Sequence, residues 1–139
     1  MQVTFRDRYP IVVTSKIDEC REFYVRLGFE VGFAASWFTW LTTPDGSATI
    51  AFMTPDHPSR PPGAEEFAGG GLCFELEVQD AAAALAAMRN RGLVEEYPLS
   101  DEPFGQRRFG MKDPAGVWID VVEQIESAPG WWDRYLEGP

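Results

Sequence analysis

The chain has 139 residues, 45% of them hydrophobic and 14% aromatic, which is enough for one compact core and excludes a disordered chain. Its net charge of −10 speaks against nucleic acid, whose phosphates call for a basic surface, and favours neutral or cationic ligands over anionic ones. Cys20 and Cys73 fit no zinc spacing, and no apolar run approaches membrane length, so the sequence predicts two reduced, buried thiols in a soluble, cytoplasmic protein without membrane contact.

Residues 9–14 (YPIVVT) read as a short strand. Asp18 then offers an N-cap, and Cys20, Phe23, Tyr24 and Leu27 recur at helical spacing until Gly28 stops the helix. Strands are predicted at 30–34, 37–43 and 48–53, the last two joined by Pro44-Asp45-Gly46-Ser47, a hairpin signal. Residues 57–71, rich in Pro and Gly, read as a linker. The order then recurs: a strand at 72–78, an Ala-rich helix capped by Asp80 and ended by Gly92, and strands at 94–97, 106–112 and 117–123. Residues 1–125 are thus predicted to form one domain of two βαβββ modules, at about 8–56 and 70–125. The tail, 126–139, carries Trp131, Trp132, Tyr135 and Leu136 at roughly helical spacing. It is predicted to be a short amphipathic helix that buries its aromatics against its own sheet or against a partner subunit, and the residues leave both open.

The stretches IDECREFYVRLGFEV in the first module and FGQRRFGMKDPAGVWIDVVE in the second resemble the vicinal oxygen chelate superfamily, the glyoxalase, bleomycin-resistance and extradiol-dioxygenase group, over roughly residues 8–124. The resemblance implies an α+β fold in which two βαβββ modules form a cupped mixed sheet with helices outside (the glyoxalase/bleomycin-resistance fold), plus a short C-terminal helical tail. In enzymes of that superfamily, four strand positions inside the cup supply His, Gln or Glu to a divalent metal. By the resemblance those positions fall on Tyr9, Ala51, Cys73 and Asp120. Alanine offers no donor and a phenol rarely ligates, so no metal and no cofactor are expected.

Strand alternation then names the residues that would line the cup instead. Asp120 brings Trp118 and Val122 inward, while Cys73 brings Glu75 and Glu77 and leaves Leu72, Phe74, Leu76 and Val78 facing the helices. A two-residue loop at Asp45-Gly46 pairs Leu41 with Ile50 and Trp40 with Ala51, which puts Phe38 on the face of Trp40. With Pro114-Ala115 as the centre of the last hairpin, Phe109 pairs with Asp120 and Arg107 with Val122. The expected ligand-binding set is therefore Tyr9, Phe38, Trp40, Phe109 and Trp118 as aromatic walls, Glu75, Arg107 and Asp120 as polar groups, and Phe104 at the rim; no catalytic residue is assigned. An Asp120–Arg107 ion pair of purely structural role is the competing reading.

Aromatic walls suit a planar guest, with stacking contributing about 0.5–1.5 kcal/mol per contact beyond area burial. The resemblance to antibiotic-binding resistance proteins then implies non-catalytic sequestration of an aromatic small molecule by a homodimer. The alternative is a superfamily enzyme (lyase, isomerase or dioxygenase) with Glu75, Asp120 or Tyr9 as acid or base. A structural or regulatory dimer, its cup filled by its own side chains, is the third reading.

Overall fold

The computed structural model describes residues 2–138 and places the first β-branched run as β1 (Ile11–Val13). There follow α1 (Ile17–Leu27), β2 (Glu30–Ala34), β3 (Phe38–Thr42) and β4 (Thr49–Met53). After the coil of the Pro- and Gly-rich stretch come β5 (Cys73–Glu77), α2 (Ala81–Asn90), β6 (Tyr97–Glu102), β7 (Gln106–Lys112) and β8 (Trp118–Gln124). The chain divides into two units: Met1–Gly70 with Asp113–Gly116, and Gly71–Lys112 with Val117–Pro139. The end residues Met1 and Pro139, which also bound the domain and tail assigned from sequence, lie outside the described residues.

In the first unit the strands run β1-β4-β3-β2, with β1 parallel to β4 and the other pairs antiparallel. α1 packs on β2, β3 and β4. Its buried stripe is Ile17, Cys20, Tyr24 and Leu27, and Gly28 ends it at φ 116, a left-handed turn open to glycine. Asp18 is not the cap. It sits inside the first turn, paired with Arg21 at 3.1 Å, where its charge favours the helix N-terminus; Lys16 holds the cap position without a side-chain bond. The β3–β4 register is as expected, Trp40 opposite Ala51 and Leu41 opposite Ile50.

The second unit repeats the arrangement as β5-β8-β7-β6, with β5 parallel to β8, and α2 packs on β6, β7 and β8. Asp80 caps α2 by accepting from the Ala83 N–H at 3.0 Å, and Glu123 of β8 takes the Ala81 N–H at 2.9 Å, so two of the helix's free donors are satisfied by carboxylates. Phe109, Met111, Ile119 and Val121 fill the space under α2's sheet and are fully or almost fully buried.

Three expectations need correction. The strand placed at 94–97 begins at Tyr97 and runs to Glu102; Val94 is exposed, and the register shift between Tyr97 and Ser100 accommodates Pro98, which has no N–H to give a ladder. The tail forms a single 3-10 turn at Trp132–Arg134 rather than an amphipathic helix, since the few residues between Gly130 and Gly138 cannot offset helix nucleation. Cys20 is buried, its thiol pushed up to about 12, mainly by burial, but Cys73 is exposed.

Candidate ligand-binding site

β5 and β8 run parallel with Glu75 opposite Asp120 and Cys73 opposite Trp118. Alternation sends all four side chains to the sheet face away from α2, and the donor atoms of Cys73, Glu75 and Asp120 lie within 4.8 Å of one another. Asp120 is buried, while Glu75 and Cys73 are exposed.

On the other side of β8, β7 places Gly110 opposite Asp120 and Arg108 opposite Val122. The expected register was one residue off. The Gly116 N–H closes a turn on the Asp113 carbonyl at 3.0 Å, and Gly116 at φ +96 lets the chain carry one residue more than a two-residue loop before Lys112 meets Trp118. A slip of one residue changes the face of every side chain on the strand. Phe109 therefore lies opposite Val121 in the core, not beside Asp120. Arg107 leaves the Asp120 face too and pairs with Asp101 at 2.6 Å and with Glu123 at 3.7 Å. Arg108 takes its place.

The Arg108 guanidinium stands 3.6 Å from Asp120 and 3.8 Å from Glu102, over the rings of Phe104 (5.1 Å) and Tyr97 (5.6 Å). Tyr97 donates its hydroxyl to Glu102 at 2.5 Å, which fixes the second ring. Arg108 was missed from the sequence because its inward direction follows from the extra turn residue at Gly116, and Tyr97 and Glu102 because β6 runs from 97 to 102 rather than from 94 to 97. For Arg108, Gly116 was the available signal.

The Trp118 indole covers Gly110. A Cβ at that position would stand 2.3 Å from the indole Cζ2 and 3.0 Å from the Ile119 carbonyl. Gly110→Ala should thus push the indole off the sheet, lowering stability by about 1–3 kcal/mol and changing the tryptophan emission maximum. An unchanged spectrum and denaturation midpoint would refute the contact.

Glu75 is raised to about 7, first by its hydrogen bond to Asp120, then by desolvation and by the Asp120 charge, with Arg108 pulling the other way. The Cys73 thiol is raised as well, by burial and then by the two carboxylates, so it is no activated nucleophile. A carboxyl raised in the fold contributes stability that is fully present below its unfolded value of 4.5 and is lost as pH rises through about 7. Glu75 is exposed and water screens it, so the slope should be shallow. Urea unfolding of Glu75→Gln, which keeps a donor to Asp120 without titrating, should lack that decline; an identical slope in both proteins would sink the assignment.

In the first unit Tyr9 stacks on Trp40 at 5.2 Å, and Phe38 lies two residues along β3 on the same face as Trp40. The Trp40 Nε1 is buried with no hydrogen-bond partner among the described residues. Phe104, on the β6–β7 hairpin, touches both Arg108 and Trp131.

Paired βαβββ units of this topology define a fold class shared by lyases, dioxygenases and drug-binding proteins. The family model described as Glyoxalase/Bleomycin resistance protein/Dioxygenase superfamily matches residues 8–121, and the chain belongs to that superfamily. No curated protein matches significantly. Among solved structures, the fold is similar to a glyoxalase/bleomycin resistance protein/dioxygenase from Nocardioides (22% identity, 93% of this chain and 91% of that one, TM-score 0.70). It is similar also to TnmS3, an antibiotic binding protein from Streptomyces sp. CB03234 (19%, 89% and 99%, TM-score 0.66), and to a bleomycin-binding protein complexed with bleomycin (20%, 86% and 99%, TM-score 0.60). At these identities the likeness establishes the fold.

The four strand positions, Tyr9, Ala51, Cys73 and Asp120, do not carry the His, Gln or Glu set of the superfamily's metal enzymes. In the first unit Ala51 has no donor and the Tyr9 ring is engaged with Trp40. In the second, the donor atoms of Cys73, Glu75 and Asp120 converge, with the Arg108 guanidinium 3.6 Å from Asp120 as a fixed positive charge beside them.

Proposed function

We propose that the chain binds an aromatic, antibiotic-like small molecule bearing a cationic group and sequesters it without chemistry and without a resident metal. The observation that carries this reading is the Glu75–Asp120 pair, set beside the Trp118 indole and an arginine held by two aromatic rings. Carboxylates orient a cation, while the indole and the Phe104 and Tyr97 rings supply flat contact area. Tyr9, Phe38 and Trp40 offer the first unit a stacking surface of its own. The antibiotic-binding structural neighbours support the same reading.

The test is titration of tryptophan fluorescence with bleomycin and with planar aromatic cations, with and without a chelator, followed by mass spectrometry of the recovered compound. Saturable quenching that ignores the chelator, with the compound returned intact, is the expected result. An altered compound would favour the second reading, an enzyme using Glu75 as acid or base, for which its titration near neutrality is the supporting observation. The homodimer that the resemblance implies belongs to the same proposal and is checked by sedimentation; a monomer at all concentrations would remove it.

A further inference from the structure

The tail was left between two partners by the sequence, and the structure docks it on its own unit. Three consecutive carbonyls of the β6–β7 turn each accept one hydrogen bond from the chain that follows β8. The Ala128 N–H reaches Pro103 at 2.8 Å, the Trp132 Nε1–H reaches Phe104 at 2.7 Å, and the Ile125 N–H reaches Gly105 at 2.9 Å. The approach is close enough that a Cβ at Gly105, itself at φ +109, would lie 3.0 Å from the Ile125 carbonyl. The Trp131 ring then packs on the Phe104 ring at 5.7 Å, backed by Tyr135 at 4.9 Å. Backbone and ring of Phe104 are both fixed from the tail.

Phe104 in turn carries Arg108. The guanidinium's two carboxylate contacts, 3.6 and 3.8 Å, are longer than hydrogen bonds, and its Nε has no partner among the described residues. The rings, rather than a close salt bridge, define where that charge sits. We propose that the C-terminal segment is a positioning element of the binding site: through Phe104, Trp132 and Trp131 hold Arg108 against Asp120 and so set the polarity offered to a ligand. This rests on the binding reading for its purpose, while its geometry stands apart from any ligand.

The test uses the full chain with Trp132→Phe, which removes the N–H and keeps a ring, and Trp131→Leu, which removes the packing. The readouts are the Arg108 Nε–H resonance, shifted by the Phe104 and Tyr97 rings, and affinity for ethidium as a planar aromatic cation. Both variants should retain the wild-type amide spectrum in the first unit, move the Arg108 resonance, and change ethidium affinity by about threefold to thirtyfold, the range of a cation–π contact. Phe104→Tyr should keep the resonance near wild type and Phe104→Leu should move it. An Arg108 signal unchanged in both tryptophan variants would overturn the proposal. Were the wild type to take up no ethidium, the binding reading would fall, yet the resonances would still decide the positioning role.

Discussion

Phe109→Ala should lower folding stability by about 3–5 kcal/mol and leave ligand affinity unchanged. Phe109 is fully buried, lies opposite Val121, and sits on the β7 face turned to α2 with Met111. Truncating a ring in such a position removes its transfer free energy and leaves a cavity that the sheet cannot close, because backbone pairing holds β7 and β8 apart at fixed spacing. Arg107→Ala, one alternation along, should leave the denaturation midpoint nearly in place, since its pairing with Asp101 is exposed to solvent. Arg108→Ala should do the reverse of Phe109→Ala, with a modest effect on folding and a clear one on binding. Urea titration with fluorescence-detected binding on the three variants separates the two registers. If Phe109→Ala instead weakened binding at unchanged stability, the register of β7 would have to shift by one residue.

That register is also where the sequence stops being legible. The helix face of Cys20, Tyr24 and Leu27, the Gly28 stop, the Asp80 cap and the alternation of Cys73-Phe74-Glu75-Leu76-Glu77 can each be read because a local period or a single backbone preference decides them. The Asp45-Gly46 hairpin yielded to the same reasoning. The Asp113–Gly116 turn did not: the letters DPAG allow a two-residue loop, and only the positive φ of Gly116 adds the residue that exchanges Arg107 and Phe109 for Arg108 and Gly110. Strand periodicity transmits such a miscount to every position of the paired strand, so the expected pairing across the turn shifted on β7 by one residue relative to β8. The part played by the tail was hidden for a different reason, since Trp132 reaches a backbone carbonyl, an acceptor every residue carries.

Asp113→Asn should destabilise the protein by about 1–3 kcal/mol, and Asp113→Ala by more. The Asp113 carboxylate is buried and divides its two oxygens between different donors: Oδ2 accepts from the Tyr24 hydroxyl at 2.7 Å, 89 positions away in sequence, and Oδ1 accepts from the Ala115 N–H at 2.9 Å. Asparagine offers a single oxygen, so one of those two hydrogen bonds is lost; alanine offers none. Tyr24 is fully buried, and burial followed by the neighbouring Asp113 charge pushes its phenol well above the ordinary range, so it remains a donor at any working pH. Tyr24→Phe should be milder than Asp113→Ala, because the carboxylate keeps its bond from the Ala115 N–H and with it the turn. The cycle of Tyr24→Phe, Asp113→Ala and the double variant should give a coupling of about 0.5–3 kcal/mol by chemical denaturation. Strict additivity would mean that the hydroxyl contributes nothing through Asp113. Because the same carboxylate shapes the turn that sets the β7–β8 register, Asp113→Ala should also broaden the Arg108 and Trp118 resonances, whereas Tyr24→Phe, which leaves the Ala115 bond in place, should leave them sharp.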